Sequence, residues 1–168
     1  MCDARGEPRL KPLVYVETSV ISYLTARPSR DVVTAARQVW TRDWWDQADQ
    51  YWARAISELV IDEASKGDPA AARRRLDAVR SIDMLRINPD CERLAQQIIE
   101  AGALPATEAE DALHVALASY HGARYLLSWN FAHLVGPEQK ARLLDTLVSL
   151  GQTPALLTTP EELLEGIR

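Results

Sequence analysis

Three carboxylates and one amide stand where a charge or an amide is out of place. Glu17 follows the apolar run Leu13–Val16, at the mouth of what reads as a buried strand. A charge there is costly to desolvate unless it reaches solvent or meets a cation. Glu63 shares a helix face with Leu59 and Val60, whereas Glu58 and Asp62 take the wet face. A helix-end glutamate that reaches solvent or pairs with an arginine is the other reading of Glu63. Asp111 opens DALHVALA, whose Ala112, Leu113, Val115, Ala116, Leu117 and Ala118 cover nearly the whole helix circumference. Macrodipole stabilisation would also explain an acid there, but Glu108 and Glu110 already supply it. Asn130 follows YLLS and Trp129; a turn residue is its other reading, and Ser128 beside it could cap the next segment. Acids brought together in this way suit a hard divalent cation, which takes oxygen ligands and water. Without one, their mutual repulsion would raise their pKa values.

What positions them is a set of alternating elements. Short apolar runs at Leu13–Val16, Tyr51–Ile56, Met84–Ile87 and Tyr125–Ser128 read as strands, with a weaker fifth at Ala155–Thr158. Helical segments lie between. Arg30–Gln47 carries a stripe of Val33, Ala36, Trp40 and Trp44. Ser57–Lys66 begins on a good N-cap and stops at Gly67. Pro69–Ile82 starts on proline, Asp90–Ala101 precedes Gly102, and Thr107–His121 precedes Gly122. Strand–helix alternation predicts crossover units and a mainly parallel sheet with helices on both faces. In such sheets ligands sit beyond the carboxyl ends of the strands, where Glu17 and Asn130 fall.

The chain has 168 residues, enough for one domain over positions 13–168, preceded by a loose polar arm over 1–12. Cys2 and Cys91 are the only cysteines. They make neither a disulfide framework nor a thiolate zinc pattern, so a reducing, cytoplasmic setting is expected. No apolar run is long enough to span a bilayer. The formal net charge of −5 argues against coating nucleic acid by electrostatics alone. It leaves room for metal-assisted phosphodiester chemistry, whose site is itself acidic. There is no GxGxxG or P-loop pattern.

The order strand–Glu17–Thr18–Ser19, SELVIDEA with Glu63, DALHVALA with Asp111, and YLLSWN with Asn130 resembles the PIN-domain family. It is most similar to the toxin ribonucleases of VapBC-type toxin–antitoxin modules. The resemblance runs from about Leu13 to Leu164. It implies a three-layer α/β/α sandwich with a mainly parallel sheet of four to five strands. It also implies an Mg²⁺- or Mn²⁺-dependent endoribonuclease in which Glu17, Glu63 and Asp111 take the three acidic positions. Thr18 or Ser19 matches the small polar residue after the first acid, and Asn130 falls where many members carry a fourth aspartate. Glu17 replaces the usual aspartate, and Asn130 is neutral. Both departures point to one firmly held cation, with a second recruited by substrate phosphate. The implied mechanism has Glu17 and Asp111 bind the metal directly and Glu63 bind it or its water shell. Asn130, assisted by Ser128, orients a water or a ligand oxygen. A small antitoxin protein and a homodimer are the implied partners, with RNA as substrate.

Thr18, Ser19, Ser128, Trp129 and Arg27 are candidates for substrate contact. Arg27, Arg30 and Arg37 could form a phosphate-holding rim, whereas Arg73–Arg75 reads as a solvated helix face. Trp129 is the one tryptophan beside the proposed site and the candidate for base stacking; Trp40 and Trp44 fit a buried or partner-facing stripe. His114 and His121 are seven apart and give no adjacent zinc pair, so His114 reads as a packing or helix-surface residue. His133 could touch substrate. Two other readings stay open: a catalytically silent PIN fold that binds or scaffolds, and a metal-dependent phosphatase, which the absence of a DxDx[TV] run disfavours.

Overall fold

The computed structural model describes residues 11–130 and 137–167. Five strands form one all-parallel sheet: β1 (Leu13–Val16), β2 (Ala53–Ser57), β3 (Asp83–Leu85), β4 (Tyr125–Leu127) and β5 (Leu156–Thr158), in the order β3-β2-β1-β4-β5. The central pairings align Tyr15 with Ala55 on one side and with Leu126 on the other. Val14, Tyr15, Val16, Ile56, Leu126 and Leu127 are fully buried, as expected for strands covered on both faces. β3 is an edge strand, and its Asp83 and Met84 are exposed.

The helices are α1 (Thr18–Thr25), α2 (Val32–Tyr51), α3 (Glu58–Ser65), α4 (Pro69–Val79), α5 (Pro89–Glu100), α6 (Ala109–Tyr120), α7 (Pro137–Ser149) and α8 (Pro160–Glu165). They pack as two groups, α1 to α4 with α8, and α5 to α7. Right-handed crossovers place the groups on opposite faces of the sheet, giving the expected three layers. The chain runs outward from β1 to β3, then returns to lay β4 on the other side of β1. The carboxyl ends of β1 and β4 therefore flank the point where strand order reverses, the usual ligand crevice of an open α/β sheet.

Several expectations shift. The run at Tyr51–Ile56 is a strand only from Ala53, because α2 continues through Tyr51. The segment Thr107–His121 splits into a 3₁₀ turn at Ala106–Glu108 and then α6. Helices α1, α7 and α8 were not foreseen. The buried face of α2 is Gln38, Thr41, Trp44 and Ala48; of the expected stripe Trp44 is buried and Ala36 and Trp40 are half-buried, but Val33 is 60% exposed. Polar residues can face inward there because backbone satisfies them. Gln38 Nε2 donates to the Arg27 carbonyl at 2.8 Å, and Thr41 Oγ1 to the Arg37 carbonyl at 2.6 Å. Of the expected N-terminal arm, residues 1–10 lie outside the described residues; the Pro12 carbonyl accepts from Ala53 N–H at 3.1 Å. Among the described residues no helix is long and apolar enough to cross a membrane.

Candidate metal centre

Glu17 leaves β1 in an extended conformation and caps α1. Its Oε1 accepts from the Ser19 backbone N–H at 3.0 Å. Its Oε2 accepts from Ser19 Oγ at 2.5 Å and Ser128 Oγ at 2.7 Å. The N-terminal end of a helix favours a carboxylate, and the hydroxyls replace much of the lost water. That is how a side chain 3% exposed remains tolerable.

Glu63 projects from α3, which Ser57 caps as its sequence suggested, accepting from Val60 N–H at 3.5 Å. Glu58 and Asp62 are exposed and Glu63 is half-buried, as the face assignment expects. Its Oε2 accepts from Thr18 Oγ1 and contacts His114 Nε2 at 3.1 Å. Burial alone would raise the Glu63 carboxyl; the His114 contact, the Thr18 hydroxyl and the Lys66 ammonium outweigh it and hold the group below the usual glutamate range.

Asp111 lies in the first turn of α6. Its carboxyl is pushed up to about 6, first by burial and then by the negative charges of Glu17, Glu108 and Glu63, with His114 acting the other way. Among the described residues neither Glu17, Glu63 nor Asp111 forms an ion pair with arginine or lysine. The basic group at hand, Lys66, lies 3.6 Å from Glu110 instead.

The ligand atoms of Glu17, Glu63 and His114 all lie within 4.8 Å of one another. The tight group thus contains His114 in place of the expected Asp111, which joins electrostatically from one turn earlier on the same helix. His114 is a correction to the sequence reading: it is neither on the surface nor a plain packing residue. The ring is 1% exposed and is hydrogen-bonded through both nitrogens, to Glu63 and to Tyr15 Oη at 2.8 Å. Its spacing of three from Asp111 was the available signal.

Glu17, Thr18, Ser19, Glu63 and Asn130 line one open cleft with Ser22, Tyr23, Lys66 and Glu110. Ser22 and Tyr23 stand three and four residues beyond Ser19, a spacing that would have nominated them once α1 was foreseen. Ser128 sits beneath Glu17, buried, and its Oγ accepts from Asn130 N–H at 2.9 Å. Trp129 is a second correction. It is 3% exposed, its Nε1 donates to Thr41 Oγ1 at 2.9 Å, and its ring packs against Tyr23, Trp40 and the Arg37 guanidinium. It offers no open face for a base. Arg27 is exposed but lies outside the cleft lining. His121 Nε2 lies 2.9 Å from the Arg86 carbonyl, at the far end of α6. His133 lies outside the described residues.

No family model matches the chain, and no curated protein matches it. Among solved structures nine chains match. One belongs to the VapBC2 complex from Rickettsia felis, crystallised with a DNA fragment from their promoter. It superposes with a TM-score of 0.57 over 88% of this chain and 98% of that chain, at 15% identity.

The fold is PIN-like.

The residues at the carboxyl edge of the sheet could hold a divalent cation. Two carboxylates and an imidazole nitrogen converge within 4.8 Å, and the nearby Asp111 carboxyl is raised by burial, with the charges of Glu17, Glu108 and Glu63 adding to it. Carboxylate oxygens suit Mg²⁺ or Mn²⁺, and the imidazole beside them is already bonded through both nitrogens, to Glu63 and Tyr15.

Proposed function

We propose that this protein is a metal-dependent endoribonuclease, the toxin component of a toxin–antitoxin module. The observation that carries the reading is the convergence of Glu17 and Glu63, which come from separate elements, near Asp111, with none of the three in an ion pair with lysine or arginine among the described residues. A cation is the missing counter-charge. Bound Mg²⁺ or Mn²⁺ would supply a water of lowered pKa and offset charge on the phosphoryl oxygens. Glu17 and Glu63, with Asp111 reached directly or through water, would hold the cation. Asn130, exposed at the cleft with its backbone fixed by Ser128, orients water or a substrate oxygen. Thr18 and Ser19 keep the two glutamates in register with α1. Lys66 lines the cleft and is a basic group that could meet a substrate phosphate. No protein nucleophile takes part.

The Rickettsia felis VapBC2 complex supports an antitoxin as partner. Val32, Val33 and Val39 are exposed on the first half of α2, an apolar surface suited to cover by an antitoxin or by a second copy in a homodimer. A cytoplasmic location accompanies this reading.

The reading is tested by RNA cleavage with Mn²⁺, with EDTA, and with Asp111→Asn. Cleavage that disappears in the last two supports it; cleavage that survives Asp111→Asn removes it. One observation favours a catalytically silent binding module instead: the Glu17 carboxylate already accepts three hydrogen bonds as the cap of α1. That alternative expects no cleavage under any of these conditions.

A further inference from the structure

Behind the cleft lies a line of buried polar side chains that the proposed chemistry does not itself require. Ser57 Oγ is 2.6 Å from Tyr15 Oη, Tyr15 Oη is 2.8 Å from His114 Nδ1, and His114 Nε2 is 3.1 Å from Glu63 Oε2. Ser57 and Tyr15 are fully buried and His114 is 1% exposed. They come from β2, β1 and α6, two paired strands of the sheet and a helix packed on its face. Register explains how it forms. Tyr15 pairs with Ala55, so Ser57, two residues on, projects from the same sheet face. Phenylalanine, alanine and leucine at these positions would bury more cheaply than a phenol, a hydroxyl and an imidazole. A polar chain kept inside a core at that cost calls for a role at its exposed end.

We propose that His114 is a positioning residue, held by the Ser57–Tyr15 pair with its Nε2–H aimed at Glu63 so that the Glu63 carboxylate is fixed for cation binding. The inference rests on the metal-dependent reading of the site. Proton accounting supports the direction. An ionised carboxylate only accepts, so Nε2 carries the hydrogen. In the neutral ring Nδ1 is then an acceptor, and Tyr15 must donate to it. The Tyr15 oxygen accepts from the Ser57 hydroxyl, whose own oxygen accepts Val60 N–H. Each proton in the line has one place.

The geometry at Glu63 shows what the line accomplishes. His114 and Thr18 both bond Oε2. Oε1 has no hydrogen-bond partner among the described residues and is the atom left for a cation. A glutamate has three side-chain torsions and, half-exposed on α3, would otherwise sample several rotamers. Two donors on one oxygen select the rotamer that presents the other. Partners that orient a metal-binding group in this way typically change metal affinity 10- to 100-fold when removed.

The test uses the full chain and three variants. In the metal-free protein, ¹⁵N NMR of the imidazole should show His114 as the Nε2–H tautomer with Nδ1 an acceptor. Mn²⁺ affinity, measured by electron paramagnetic resonance titration, should fall about tenfold or more in His114→Leu. It should recover most of the loss in His114→Gln, whose amide N–H can take the place of Nε2–H. Tyr15→Phe should weaken binding by a smaller factor while leaving the fold intact; it carries the test if His114→Leu does not fold. An Nδ1–H tautomer, or Mn²⁺ affinity within twofold of wild type in both His114→Leu and Tyr15→Phe, overturns the proposal. Loss of the Nε2–H signal on adding diamagnetic Mg²⁺ also overturns it, because His114 would then be a direct ligand. A wild-type chain that binds no Mn²⁺ defeats this proposal and the nuclease reading together. Binding without RNA cleavage removes the nuclease reading alone.

Discussion

Ser128 Oγ donates to Glu17 Oε2 at 2.7 Å, joining residues just beyond β1 and β4 that are 111 positions apart in sequence. The backbone repeats the link, since Glu17 N–H donates to the Leu127 carbonyl at 3.0 Å. The reversal of strand order opens a crevice between these two strand ends. The Glu17–Ser128 contact sets its width and fixes the acid at its floor.

Ser128→Ala should therefore destabilise the protein by about 1–3 kcal/mol, because a charged acceptor loses a buried donor and the Asn130 N–H loses its acceptor. Urea unfolding of the two proteins measures this. Under the proposed function the variant should also bind Mn²⁺ more weakly, as Glu17 gains freedom to turn. Equal unfolding midpoints would mean that the hydroxyl does not hold the carboxylate.

Asp111→Asn should stabilise the metal-free protein at neutral pH while abolishing cleavage. The folded carboxyl, at about 6, lies above the ordinary aspartate value of 3.8, so the folded state binds this proton more tightly than the unfolded chain. Its contribution to stability is fully present below pH 4 and is lost as pH rises through 6. Above that, the ionised group is half out of water and stands near Glu17, Glu108 and Glu63, at a cost of about 1 kcal/mol once solvent screening is allowed for. Asparagine carries no such cost. The gain should appear in urea midpoints at pH 7.5 and vanish at pH 4. Glu63 runs the opposite way, since its depressed carboxyl contributes stability that is lost as pH falls. Glu63 is common to both proteins, so their difference isolates Asp111. A gain in stability with a loss of activity is the pattern of a site built under electrostatic strain.

How much of this was legible beforehand depends on the kind of signal. The strands were, because LVYV and YLL are apolar runs too short for helices. Glu63 was visible as an acid on the apolar side of an otherwise amphipathic helix. α1 was not: TSVISYLT is rich in β-branched residues and hydroxyls, with weak intrinsic helix preference. Its helix is set by the Glu17 cap and by packing of Val20 and Ile21. With α1 unseen, Ser22 and Tyr23 could not be placed in the cleft. His114 was legible only as a neighbour of Asp111 at a spacing of three, because its partners Tyr15 and Glu63 lie 99 and 51 positions away. Trp129 was misjudged because adjacency to Asn130 says nothing about direction. One residue of offset turns an exposed amide into a ring buried against α2.

Trp129→Phe should then act on stability rather than on RNA binding. It keeps much of the ring contact with Trp40 and Tyr23 but removes the donor to Thr41, at about 1–2 kcal/mol. Trp129→Ala should cost about 3–5 kcal/mol by opening a cavity. Thermal unfolding measures both. A Trp129→Phe protein of unchanged stability that binds single-stranded RNA several-fold more weakly would restore the stacking role.

Cation binding should be visible as protein stability even where cleavage is not assayed. A ligand that binds only the folded state stabilises it by RT ln(1 + [L]/Kd), about 2.7 kcal/mol at one hundred times Kd. Mn²⁺ has a further advantage here, because it offsets both the burial and the neighbouring negative charges that lift the Asp111 carboxyl. The thermal midpoint should rise with Mn²⁺, return with EDTA, and shift less in Glu63→Gln and Asp111→Asn. The shift should also shrink as pH falls through about 6, where protons compete with the cation for Asp111. Asp111→Asn, having no carboxyl there, should lose that part of the pH dependence. A midpoint that ignores Mn²⁺ at pH 7.5 would leave the three acids without the counter-charge on which the proposed chemistry depends.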